Sequence, residues 1–188
     1  KCLFMPADLT AGLEYNRDNL KDDMWGYNRY TKQTVNIGSA FLQNEWKNEK
    51  WSILLGGRLD KHNLIDHVIF SPRANLRFNL SEDINLRLSY SSGFRAPQAF
   101  DEDLHIENVG GTVSMIERAK NLKEEKSQSF SASADMYHRF GAFQVNFLVE
   151  GFYTRLSDVF VLENIGERDG ILIKERRNGS GAKVLGLS

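Results

Sequence analysis

NLRLSYSSGFRAP, residues 85–97, is the stretch that decides the fold. In its first half Leu86, Leu88 and Tyr90 alternate with Asn85, Arg87, Ser89 and Ser91, the period-2 signature of a strand with one apolar and one polar side. The strand then ends abruptly. Gly93 frees the backbone, Pro97 removes an amide donor and biases Ala96 towards extended geometry, and Arg95 is left at the mouth of a long polar segment.

The same alternation extends in both directions. Upstream, Leu9, Ala11, Leu13 and Tyr15 alternate with Asp8, Thr10, Gly12 and Glu14, after which the charges, amides and aromatics of residues 18–34 predict a long exposed loop. Residues 35–47 and 51–60 form a hairpin about Asn48 and Glu49, and Trp46 and Trp51 flank the turn as indoles suited to a bilayer interface or to cross-strand packing. A short link at 61–66 leads to a strand over 67–79, where Arg73, Asn75 and Arg77 share one face and Pro72 marks a bulge or an unpaired position. Downstream lies the longest irregular stretch, residues 94–126. Residues 126–140 and 142–157 make a second hairpin about Gly141, with Phe143, Val145, Phe147 and Val149 opposed to Gln144, Asn146 and Glu150. Residues 158–170 predict a turn-rich loop and 171–187 a last extended run; no segment has helical periodicity.

The expected fold is therefore all-β, an antiparallel up-and-down meander of about eight or nine extended segments in a single unit, residues 1–188. Short turns at Asn48, Glu82 and Gly141 fall at one rim, and the mostly long connections fall at the other. That sorting suits an outer-membrane barrel, whose periplasmic turns are tight and whose outer loops bind ligands. Composition is compatible with a barrel and excludes other classes. A net charge of −1 gives no nucleic-acid footprint, and no run approaches the ~18 apolar residues of a spanning helix. The mean hydropathy of −0.44 does not argue against a barrel, because barrel strands are apolar only at alternate positions. One cysteine, Cys2, rules out an internal disulfide, and His62, His67, His105 and His138 share no ligand spacing. The sequence carries no catalytic motif, so neither an enzyme nor a bound cofactor is expected.

Ser89 to Pro97, Ser-Tyr-x-x-Gly-Phe-Arg-Ala-Pro, resembles the strand and loop entry of the TonB-dependent outer-membrane receptors. Ser71 to Leu76, Leu122 to Ser127 and Asn178 to Gly186 resemble three further segments of that family in the expected order. Two positions depart, Glu124 where the family usually has proline and Ser188 where it usually has glutamate. Phe94 to His105 resembles a string familiar in Bacteroides-like members. The resemblance implies a fragment of a large transmembrane β-barrel of about 22 strands, with the plug domain absent and further receptor sequence expected upstream of Lys1. It implies import of a scarce nutrient chelate, siderophore-iron or cobalamin, across the Gram-negative outer membrane. The implied partners are that ligand, outer-membrane lipid, and the TonB complex reached through the plug. In isolation such a piece is expected to be an open or self-associated curved sheet. The alternatives are a soluble all-β ligand-binding or adhesion domain and an intact small outer-membrane barrel.

The candidate sites lie mainly at the long-loop rim. Trp25, Tyr27 and Tyr30 are candidates for ligand contact or for ordinary loop packing. Asp101, Glu102, Asp103 and His105 form an acidic cluster without calcium-loop spacing, and Arg95 either pairs with those acids or faces an anionic ligand. Arg73, Arg77 and Arg87 form a polar-face row, implied by the resemblance to be lumen-facing and structural.

Overall fold

The computed structural model describes residues 5–27, 29–99, 107–109 and 112–188. Twelve strands are described: β1 (Ala7–Met24), β2 (Arg29–Lys47), β3 (Trp51–His62), β4 (Val68–Asn79), β5 (Ile84–Arg95), β6 (Glu107–Val109), β7 (Thr112–Arg118), β8 (Glu125–Phe140), β9 (Phe143–Ser157), β10 (Phe160–Arg168), β11 (Ile171–Asn178) and β12 (Ala182–Leu187). Eight of them form one sheet in the order β1-β2-β3-β4-β5-β8-β9-β12, the expected antiparallel meander. β1 and β12 are its edges and do not pair, so the sheet is open and this chain does not close a small barrel by itself. The path leaves the sheet twice, between β5 and β8 and between β9 and β12. The strands of those two excursions build a second sheet in the order β10-β11-β7-β6, in which β7 runs parallel to β11.

Register continuity keeps the two faces of the main sheet distinct. Across β3, β4 and β5, Ile53 lies opposite Leu76 and Leu76 opposite Leu88, while Ser52 lies opposite Arg77 and Arg77 opposite Arg87. On β8 and β9 the pairs Met136–Phe147, Ala134–Val149 and Phe130–Tyr153 continue the apolar face. Among the described residues nothing covers it: Leu13 is 86% exposed, Phe143 77% and Phe147 57%. A sandwich would bury these side chains under a second layer, which excludes the soluble-sandwich alternative. On the polar face, side chains pair with one another across strands. Arg58 donates to Asp60 and Glu14, both at 2.8 Å, and Ser39 donates to Asp60 at 2.6 Å.

On β9 the apolar face runs from Phe143 to Tyr153 before Arg155 interrupts it. Ten residue steps span about 33 Å along the strand, or about 25 Å of height at the ~40° tilt of a membrane barrel. That is the height of the apolar band of an outer-membrane barrel.

Several sequence expectations need correction. Residues 18–34 are the distal half of a hairpin, with β1 and β2 in unbroken register from Ala7–Trp46 to Met24–Arg29 and a 3-10 turn, Trp25–Tyr27, near the tip. The strands continue after their apolar pattern stops, because backbone pairing needs no apolar side chain. Residues 94–126 contain β6 and β7, residues 158–170 contain β10, and 171–187 is two strands in different sheets. Of the two expectations for Pro72, a bulge or an unpaired position, the second holds. Pro72 lies opposite Gly57 in the β3–β4 ladder, and the β4–β5 ladder begins one residue later at Arg73, so Pro72 falls just outside the β5 pairing.

Candidate ligand-facing rim

Three tight turns mark one rim of the main sheet. At the first, the Asn48 side chain accepts from the amides of Lys50 and Trp51 at 2.9 and 2.7 Å. At the last, Gly141 takes φ +57°, a conformation that two-residue hairpin turns favour in glycine. Near this rim Trp51 stacks on its cross-strand partner Phe78, ring centroids 4.2 Å apart.

The opposite rim is built from the long connections. After β5 the chain turns across the ends of neighbouring strands, where Ala96 packs with Ile65, Ile69 and Phe94. Gln98 Oε1 then lies 3.4 Å from Nε2 of the fully buried His62, and the Ala99 amide donates to Gln33 Oε1 at 2.8 Å. His62 Nδ1 accepts the Leu64 N–H at 3.0 Å, which leaves Nε2 as the donor to Gln98. The Gly-Phe-Arg-Ala-Pro stretch thus directs the long excursion across β3 and β2.

The two excursions are tied together beyond their shared sheet. Asn178 donates to the carbonyls of Lys123 and Asp158 at 3.0 and 2.7 Å and accepts from the Lys123 amide at 2.7 Å. Arg29, at the start of β2, donates to the Ile116 carbonyl of β7 at 3.0 Å, fastening the second sheet to the β1–β2 hairpin. Arg95 approaches Glu125 at 3.8 Å and lies over the Phe160 ring, while Glu125 accepts from the Phe160 amide at 2.6 Å. Glu124 is buried beside Lys126 at 3.0 Å and His67 at 3.1 Å. Burial opposes its ionisation. Backbone hydrogen bonding, the Lys126 ammonium and the nearby His67 outweigh that burial and hold the carboxyl below its ordinary 4.5.

The predicted site residues distribute unevenly over this geometry. Trp25 and Tyr30 meet edge to face at 5.6 Å on the hairpin tip and stay 77% and 55% exposed. Tyr30 falls on the same face of β2 as Ala40 and Leu42, and Tyr27 lies in the tip turn. Arg95 sits between the two excursions. Asp101, Glu102, Asp103 and His105 lie outside the described residues. Arg73, Arg77 and Arg87 share the polar face: Arg73 donates to Gln43, Arg77 stands opposite Arg87, and Arg87 lies 3.9 Å from Asp135. Sequence reasoning missed the joining role of Asn178 and the packing of His62. Their partners Lys123 and Gln98 are 55 and 36 residues away, beyond the reach of any local pattern. Among the described residues no group of three or more metal-ligating side chains converges.

A single-layer sheet, apolar on one side and polar on the other, with tight turns at one rim and built loops at the opposite one, is the wall of a receptor-type β-barrel. The chain belongs to the TonB dependent receptor-like beta-barrel family, whose model matches residues 4–186. Solved structures share the fold. The siderophore receptor PirA from Pseudomonas aeruginosa superposes with a TM-score of 0.82 at 19% identity, over 100% of this chain and 36% of that one. The ferric enterobactin receptor PfeA gives 0.74 at 20% identity, over 100% of this chain and 31% of its own. The FrpB iron transporter from Neisseria meningitidis gives 0.69 at 15% identity, again over 100% of this chain and 31% of its own. This chain therefore spans about a third of the length of the receptors it matches. No curated protein matches it.

Proposed function

We propose that this chain is part of the barrel wall of a Gram-negative outer-membrane receptor, which captures an iron chelate at its built rim and admits it when TonB acts on a plug domain. The observation that carries this is the pairing of β7 with β11, which joins two separate excursions into one platform at the long-loop rim. Trp25 and Tyr30 add exposed aromatic surface at the hairpin tip, and Arg95, 42% exposed, brings a positive charge between the excursions. Solved relatives named as siderophore, ferric enterobactin and iron-transport proteins favour an iron chelate over cobalamin.

The test uses the full-length protein that carries this chain. Tryptophan quenching is measured in detergent with a ferric catecholate, a ferric hydroxamate and cyanocobalamin. Saturable quenching by one ferric chelate, weakened several-fold in Arg95→Gln, is the expected result. Saturable binding of cyanocobalamin alone overturns the substrate class, and binding of none of the three overturns the importer reading.

A further inference from the structure

Asn178 and Gly179 form the one Asn-Gly pair in the sequence. After an asparagine, a glycine leaves the next backbone nitrogen without a neighbouring Cβ to hinder its attack on the side-chain amide, so this pair is chemically labile. Packing imposes the glycine here. A Cβ on Gly179 would lie 2.8 Å and 3.0 Å from the two methyls of Val161, a β-branched side chain that is stiff at χ1. The fold therefore sets a labile amide at the point where its two excursions are tied together.

The same geometry holds the chemistry back. The Asn178 side chain is pinned by its donations to the Lys123 and Asp158 carbonyls at 3.0 and 2.7 Å and by the Lys123 amide, which it accepts at 2.7 Å. The nucleophile is occupied as well, because the Gly179 N–H donates to the Val159 carbonyl at 2.7 Å. Burial adds little protection: Asn178 and Gly179 are half-buried, and the adjoining Ser180 is exposed. Water and hydroxide reach the pair once those hydrogen bonds break, so the barrier is the opening of the tie itself.

We propose that Asn178 is a deamidation site gated by opening of the long-loop rim. When the tie opens, hydroxide removes the Gly179 amide proton and the freed nitrogen attacks Cγ of Asn178. The bond from Cγ to Nδ2 breaks, and ammonia leaves with a proton taken from water. Water then opens the resulting five-membered imide at either carbonyl, giving aspartate or isoaspartate. The sum is one water consumed and one ammonia released, with no oxidant or reductant. The product cannot remake the tie. A carboxylate has no hydrogen to offer the Lys123 and Asp158 carbonyls, and its charge repels both oxygens. Isoaspartate also lengthens the backbone by one methylene just where β11 ends. A rim that has opened is thereby marked and permanently loosened.

The test uses the full-length protein in detergent, held in mildly alkaline buffer, with peptide mass spectrometry reading the conversion of Asn178. Conversion is expected to be at least about tenfold slower in the folded protein than in the same protein unfolded in urea. Ile173→Ala empties a buried position of β11 without touching the tie and is expected to speed conversion several-fold. Arg29→Gln, which releases β7 from the β1–β2 hairpin, is read in its place should Ile173→Ala not fold. Asn178→Asp is expected to raise amide exchange in β7 and β11 together, while β2 to β5 stay protected and so show that each variant is folded. Equal conversion in folded and unfolded protein, no acceleration in the loosened variant, or unchanged exchange in Asn178→Asp overturns the gated site. None of these measurements involves a ferric chelate, so failure here and failure of the importer reading are separate results.

Discussion

The surroundings of Glu124 explain how a buried carboxylate is accommodated. Lys126 and His67 converge on one of its oxygens at 3.0 and 3.1 Å. Because its folded value lies below the ordinary 4.5, the unfolded chain binds the proton more tightly. The stabilisation is present above about 4.5, the unfolded value, and is lost as pH falls through the lower folded value. Both partners are more than half exposed, so the effect is modest. Glu124→Gln should cost about 1 kcal/mol at pH 7 and progressively less as pH falls through the folded value, measured as the shift in urea midpoint. His62 is a sharper case. His62→Ala empties a fully buried site and strips the Leu64 amide and Gln98 of their partner, at an expected cost of about 3 kcal/mol. His62→Phe should not restore stability, since a ring without nitrogen leaves that amide unsatisfied.

At the scale of single elements, glycine positions separate packing from backbone freedom. A Cβ on Gly181, at the entry to β12, would lie 2.5 Å from the Leu156 carbonyl oxygen, a backbone atom that cannot rotate away. On β2, a Cβ on Gly38 would meet nothing within 4 Å. Gly181→Ala is therefore expected to destabilise by about 1–3 kcal/mol and to raise hydrogen exchange selectively along β12. Gly38→Ala should be neutral or stabilise by about 0.5 kcal/mol, through the unfolded chain. The β1–β2 hairpin adds a lesson about element ends. Its strands keep register well past Tyr15, and from Arg17 onward the same face is polar, so hydropathy stops where the band stops and pairing does not.

For the whole molecule, the decisive contrast is between neighbours on opposite faces of β9. Phe147 is on the apolar face, opposite Met136, whereas Leu148 is on the polar face, opposite Asp135. Phe147→Arg is expected to cost about 2–4 kcal/mol in a bilayer, and Leu148→Arg, one residue away, well under half of that. Folding of the full-length protein into lipid vesicles followed by denaturant titration measures the difference, and equal costs would place both residues in one environment. The second sheet predicts coupled behaviour as well. Asn178→Ala removes the side-chain tie between the excursions, so amide exchange in β7 and β11 should rise together while β2 to β5 stay protected.

The amino-acid order by itself determined the two-faced ribbons. Alternation at Leu86, Leu88 and Tyr90, or at Phe143 to Val149, assigns each side chain to a face whatever the partner strand is, because a strand's side chains repeat every two residues. It also determined the tight turns at Asn48 and Gly141, which are local chemistry. Only the tertiary structure decided that residues 18–34 extend a hairpin, that β7 and β11 run side by side, and that Asn178 and His62 have the neighbours they do. Each of these depends on pairing between residues far apart in sequence, where backbone hydrogen bonds supply the contact and polar side chains leave no period to read.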